Sequence, residues 1–164
     1  MKKIITIAVL IILLYIMDST WVPLFINIYG YTPSLLMIFI LSYSIINGSY
    51  EGIWVGAIAG IFQDVFFIHT FGVNGFINVL LCFLAGHVGK SLFRQKRAVP
   101  TILVGFFTAI KQIIIMGYLY IYGASANIYT IIAPSIFNLI LAFFIYKWIY
   151  KLCKKDFMIK EWKF

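Results

Sequence analysis

The chain has 164 residues, of which 63% are hydrophobic and 11% charged, with a mean hydropathy of +1.02. A soluble domain carries about 25% charged residues, so this chain could not cover its own surface with polar groups and is excluded from the soluble classes. A formal charge of +8 would suggest nucleic acid in a soluble protein, but here the cations fall between or after apolar runs, which is membrane topology and excludes that partner.

A membrane span needs about 20 mostly apolar residues, fewer where its ends lie in the interface. The first runs from Ile4 to Met17 or Thr20, after Lys2 and Lys3; no small-residue cleavage site follows Met17, so it is read as a helix and not as a leader. Asp18 to Pro33 contains no lysine or arginine, is broken by Pro23, Gly30 and Pro33, and carries Trp21, Tyr29 and Tyr31, which suits an interfacial or re-entrant loop. The second span opens on Pro33 and ends near Ile46, with Asn47 to Glu51 as a tight turn. The third runs from Glu51 to Ile68 and the fourth from Phe76 to Leu92, separated by a turn at His69 to Gly75. A basic loop follows, with Lys90, Arg94, Lys96 and Arg97. The fifth span covers Pro100 to Tyr122 and the sixth Ile128 to Tyr150, joined by the small-residue turn Gly123 to Asn127.

The expected fold is therefore all-α: a polytopic bundle of about six transmembrane helices in one domain, residues 1–150, with a basic tail at 151–164. Lysines and arginines gather before the first span, after the fourth and after the sixth, which places both termini in the cytoplasm. The tail's Leu152, Ile159 and Trp162 fall on one face for the bilayer, with Lys151, Lys155 and Lys163 toward water.

The sharpest local signal is on the third span. Gly52, Gly56 and Gly60 recur every four residues and Asp64 continues the spacing. On a helix they form one slowly drifting strip without side chains, which admits a second helix at close range, from within the fold or from a partner. Asp64 would cost about 2.5–3.5 kcal/mol facing hydrocarbon, so it should face protein or water. From the expected inner ends it lies roughly 20 Å deep and Lys111 of the fifth span roughly 17 Å, so the two are candidates for an intramembrane ion pair. Such a pair either fixes the packing of two helices or faces a partner or ligand; the packing role is the simpler.

No catalytic residues emerge. Ser49, Ser91, Ser125 and Ser135 lack a nucleophile-elbow setting, and Gly86 to Lys90 lacks the spacing of a phosphate-binding loop. His69 and His87 are more than about 20 Å apart along the chain's fourth span, too far to share an ion, and neither has a Cys or Glu at ligand spacing, so no metal and no cofactor is expected. Cys82 lies in a span and Cys153 in the tail, which argues against a disulfide between them. The basic loop and tail would contact anionic lipids at about 1 kcal/mol per cation, or dock a cytoplasmic protein.

The stretch Pro33 to Phe76, with Pro33, Gly48, Gly52, Gly56, Gly60, Asp64 and Gly72, resembles the rod shape-determining protein MreD family. The length, the six-span plan and the basic loop fit that resemblance, although Ser34 stands where many members carry an acid. It implies a non-enzymatic, multi-pass subunit of the bacterial inner membrane that scaffolds peptidoglycan synthesis during cell elongation. It also implies the partners MreC, MreB, and RodA with its penicillin-binding transpeptidase.

The competing expectation is a small solute-binding subunit of an energy-coupling-factor-type transporter, which has similar size and span count. Its mark would be an enclosed polar pocket of about 300 Å³ or more, formed by the first loop, Asp18 to Pro33, and the outer ends of the spans, with converging polar groups. The polar side chains on offer there are Asp18, Asn27, His69, Asn74 and Asn78.

Overall fold

The computed structural model describes residues 2–25, 31–65, 72–91, 98–121 and 128–159, which form helices with no strand among them. Helix α1 (Lys2–Ile16) does not stop at Asp18. It passes through a π-type turn, Met17–Trp21, into α2 (Val22–Phe25), so the first rod is continuous over 24 residues. Pro23 lacks the N–H that a regular ladder would need, and the wider turn just before it, in which the Val22 N–H reaches the Met17 carbonyl, absorbs the mismatch. The loop expected from Asp18 is thus helical as far as Phe25, and Asn27 to Gly30 lie outside the described residues.

The remaining helices are α3 (Leu35–Asn47), α4 (Ser49–Val65), α5 (Val73–Gly89), α6 (Ala98–Ile121), α7 (Tyr129–Cys153) and the single turn α8 (Asp156–Ile159). The α1–α2 rod, α6 and α7 are long and apolar enough to cross a membrane. The chain is a membrane protein with the helical architecture that its sequence dictates.

Successive helices alternate in direction. One end of the bundle gathers Lys3, Gly48 with Lys90 beside it, and Cys153; the other gathers Asp18, Ser34, Asp64 and Gly75. We refer to these as the basic and the acidic end. The turn between α3 and α4 is one residue, Gly48, at φ +99°, a conformation open to glycine at little steric cost.

The centre of the bundle is α3. Every residue from Leu36 to Ile46 is buried, and α3 touches α1, α4, α5, α6 and α7. Its sequence, LLMIFILSYSIIN, is apolar on all sides, as an enclosed helix must be. The outer faces of α1, α6 and α7 carry exposed Ile, Leu, Phe and Trp side chains, which suits contact with lipid.

At the basic end a clasp joins three helices. Glu51 of α4 accepts from Lys3 Nζ of α1 at 2.6 Å and from the Tyr43 hydroxyl of α3. Tyr43→Phe is expected to cost about 1 kcal/mol and Glu51→Ala about 3 kcal/mol, since the latter removes the carboxylate that two buried groups share. Unfolding midpoints in detergent read both. The tail does not lie apart from the bundle: α7 continues to Cys153, and Met158 of α8 is fully buried, with α8 resting on α1. Lys151 and Lys155 are exposed and Leu152 half-buried, while Trp162 and Lys163 lie outside the described residues.

Candidate functional site

The glycine strip of α4 is filled by α5. A Cβ built on Gly52 would come within 2.9 Å of the Cys82 carbonyl, and one on Gly56 within 2.8 Å of the Asn78 carbonyl. At Gly60 it would strike the Cα of Gly75. α5 answers with small residues of its own: Gly75 faces Gly60, Gly86 faces Gly48 and Ser49, and Gly89 lies on the backbone of Ile45. Within the chain the strip is packed by α5, with Ser44 of α3 also against Gly52.

Asp64 stands at the acidic end of this seam, 2% exposed. Its Oδ1 accepts from the Asn74 N–H at 3.0 Å and its Oδ2 from the Gly75 N–H at 2.8 Å. These are the second and third residues of α5, whose own cap position is Gly72, a residue with no side chain to offer. Asp64 therefore performs, from a neighbouring helix, the work of an N-cap, and its charge complements the positive end of the helix dipole.

The start of α3 is treated in the same way. Asp18, carried on the π-type turn, accepts from the Leu35 N–H at 2.8 Å, the Leu36 N–H at 3.0 Å and the Ser34 hydroxyl at 2.8 Å. Ser34 is the cap of α3 and accepts from the Met37 N–H at 3.2 Å. Four buried or half-buried donors at one helix start are thus satisfied by a pair of side chains that lie 16 positions apart.

Between the two capped starts lies Lys111 of α6, 7% exposed. Its ammonium donates to Gln63 Oε1 at 2.9 Å and to Asn78 Oδ1 at 2.8 Å, and Asn78 Nδ2 closes the triangle on Gln63 Oε1 at 2.9 Å. Asp64 and Lys111 share no direct ion pair: the carboxylate is taken by two backbone N–H groups and the ammonium by two amide oxygens. The depth reading brought them to one level, but depth says nothing about which way each faces around its helix. The double exchange Asp64→Lys with Lys111→Asp is accordingly expected to restore no folding over either single change, as measured by the amount of protein extracted from membranes.

The polar groups surround a cavity of about 510 Å³ at the acidic end. Asp18, Ser19, Thr32, Asn74, Lys111 and Gln112 are among its lining residues, with Tyr15, Met37, Ile115 and Pro134 supplying apolar wall. Asn138 of α7 also lines it, accepting from the Ser34 N–H at 2.8 Å and donating to Thr108 Oγ1 at 3.3 Å.

The sequence profile of the rod shape-determining protein MreD family matches residues 1–156. The chain belongs to the MreD family. No curated protein and no solved structure gives a match. The family is a shape-determining one and not a known enzyme family, and its profile covers the glycine strip, both capping aspartates and the cavity alike.

Among the other expected residues of this MreD-family chain, Lys90 is exposed at the basic end, while Arg94, Lys96 and Arg97 lie outside the described residues, as does His69. His87 is exposed with its ring stacked on Phe83. Sequence reasoning missed the partner half of the seam, though its signal is present: Gly75, Cys82 and Gly89 stand seven residues apart on one face of α5. It also missed Gln63, Thr108 and Asn138, single polar residues in apolar runs whose convergence only the packing reveals.

Proposed function

We propose that this protein is a multi-pass subunit of the bacterial inner membrane that scaffolds peptidoglycan synthesis during cell elongation. In this role it acts with MreC, MreB, and RodA with its penicillin-binding transpeptidase. The observation that carries the reading is membership of the MreD family over residues 1–156. The gathering of Lys3, Lys90 and Lys151 at one end supports an orientation with that end, and both termini, in the cytoplasm. Because the α4 strip is occupied by α5, contacts with other proteins belong on the outer faces of the bundle.

Depletion in a rod-shaped bacterium that carries the gene tests the role: cells should widen and round up, and the wild-type chain should restore them. Cells that keep their rods would end the proposal. For the partners, photo-crosslinkers at exposed Phe106 and Trp148 should trap MreC or RodA. Lipid alone at every exposed position would remove the partner assignment.

One observation favours a second reading, a solute-binding subunit of an energy-coupling-factor-type transporter: the cavity of about 510 Å³ falls in the size range of small-molecule sites and has several polar side chains in its lining. Co-purification of a transporter ATPase with the tagged chain separates the two, since the elongation role calls for none.

A further inference from the structure

We infer that the cavity at the acidic end is a binding site for a phosphate group, received by Lys111. The inference goes beyond the shape-determining role and does not depend on it.

The unfilled donor of Lys111 carries it. Asp18 and Asp64 are each committed to a helix start, where backbone N–H groups and the Ser34 hydroxyl engage their oxygens. Lys111 forms no ion pair among the described residues. An ammonium has three donors, and two of these go to the neutral oxygens of Gln63 and Asn78. The third remains, on a side chain 7% exposed that lines an open volume of about 510 Å³. The direct partners of the ammonium are neutral oxygens, and the nearest carboxylates, Asp18 and Asp64, are engaged by backbone N–H groups, so an incoming anion would be its first direct counter-charge.

The rest of the lining supplies the complement. The side chains of Ser19, Thr32, Asn74 and Gln112 face the cavity with no hydrogen-bond partner among the described residues. They come from the π-type turn, the segment before α3, the first turn of α5, and α6. Donors that converge from four separate elements onto one cation match the tetrahedral spread of phosphate oxygens better than the plane of a carboxylate, and lysine serves such a group as a point charge. The volume lies in the range of small-molecule sites, and the surrounding helices belong to a membrane protein. Two sources can deliver such a phosphate, a soluble molecule and an anionic lipid head group.

The test uses the full chain in nanodiscs of phosphatidylcholine and follows its thermal unfolding midpoint at constant ionic strength. One arm titrates inorganic phosphate against chloride; the other replaces part of the lipid with phosphatidylglycerol. The wild type should rise by roughly 5 °C or more at a probe concentration a hundred times its dissociation constant. Lys111→Gln should lose that rise while unfolding, without anion, no lower than the wild type. Gln112→Leu breaks no bond among the described residues and serves as the folding-safe variant; it should lose at least half of the rise. A rise with inorganic phosphate that needs Lys111 identifies a soluble ligand, and one confined to phosphatidylglycerol identifies a lipid head group. No rise in either arm, or an equal rise in both variants, overturns the inference.

Discussion

Gly60→Val is expected to leave little folded protein in the membrane. A Cβ at this position would collide with the Cα of Gly75 and stand 2.8 Å from its nitrogen and 3.0 Å from the Asn74 carbonyl. All three are backbone atoms of α5, so no rotamer change can make room. α5 cannot simply retreat either, because the same two residues donate to Asp64. Overpacking a tight core costs about 1–3 kcal/mol where side chains can yield, and a collision between backbones should exceed that, at about 3 kcal/mol or more. Gly117→Ala is the matched control: Gly117 is exposed on α6 with nothing within 4 Å, so alanine there should be neutral or stabilise by about 0.5–1 kcal/mol. Membrane abundance and the unfolding midpoint in detergent read the pair. Equal behaviour of the two variants would mean that the α4–α5 seam is looser than described.

Asp64→Ala should have the next largest effect, at about 3 kcal/mol or more, because two donors at the start of α5 lose a charged acceptor each. Asp64→Asn retains one acceptor oxygen and should cost about half as much. The order matters more than either size. If the carboxylate served chiefly as a counter-charge for Lys111, asparagine and alanine would be equally damaging, whereas a cap is graded by the acceptors that remain. Protection of the Asn74 and Gly75 amides from hydrogen exchange gives a direct local measure, and it should fall in both variants, further in alanine.

Much of this architecture is legible in the residue order. Apolar runs punctuated by Pro33, Gly48 and Gly72 place the helices to within a few residues, and the four-residue spacing of Gly52, Gly56 and Gly60 announces a close helix contact. What spacing cannot supply is the identity of the neighbour. Asp64 is visible as an acid that must be sheltered, but its shelter is a pair of backbone N–H groups, which no side-chain pattern reveals. Asp18 looks like a helix end because polar residues and Pro23 follow it, and the π-type turn that carries the helix onward leaves no mark of its own in the sequence. The centrality of α3 was the most accessible of the missed features. At thirteen residues it is shorter than α5, the other short apolar helix among the described residues, and too short to cross a bilayer unaided.

That shortness bears on how the protein is made. Thirteen residues rise about 20 Å, against a hydrocarbon slab of about 30 Å, so α3 released alone from the translocon would thin the bilayer around itself or tilt its neighbours. The ribosome finishes α3 before it has made α5, α6 or α7, which later wall it in. During that interval the future axle of the molecule is its least comfortable segment. Chains stalled there present a mismatched hairpin, with α4 folded back across the single residue Gly48.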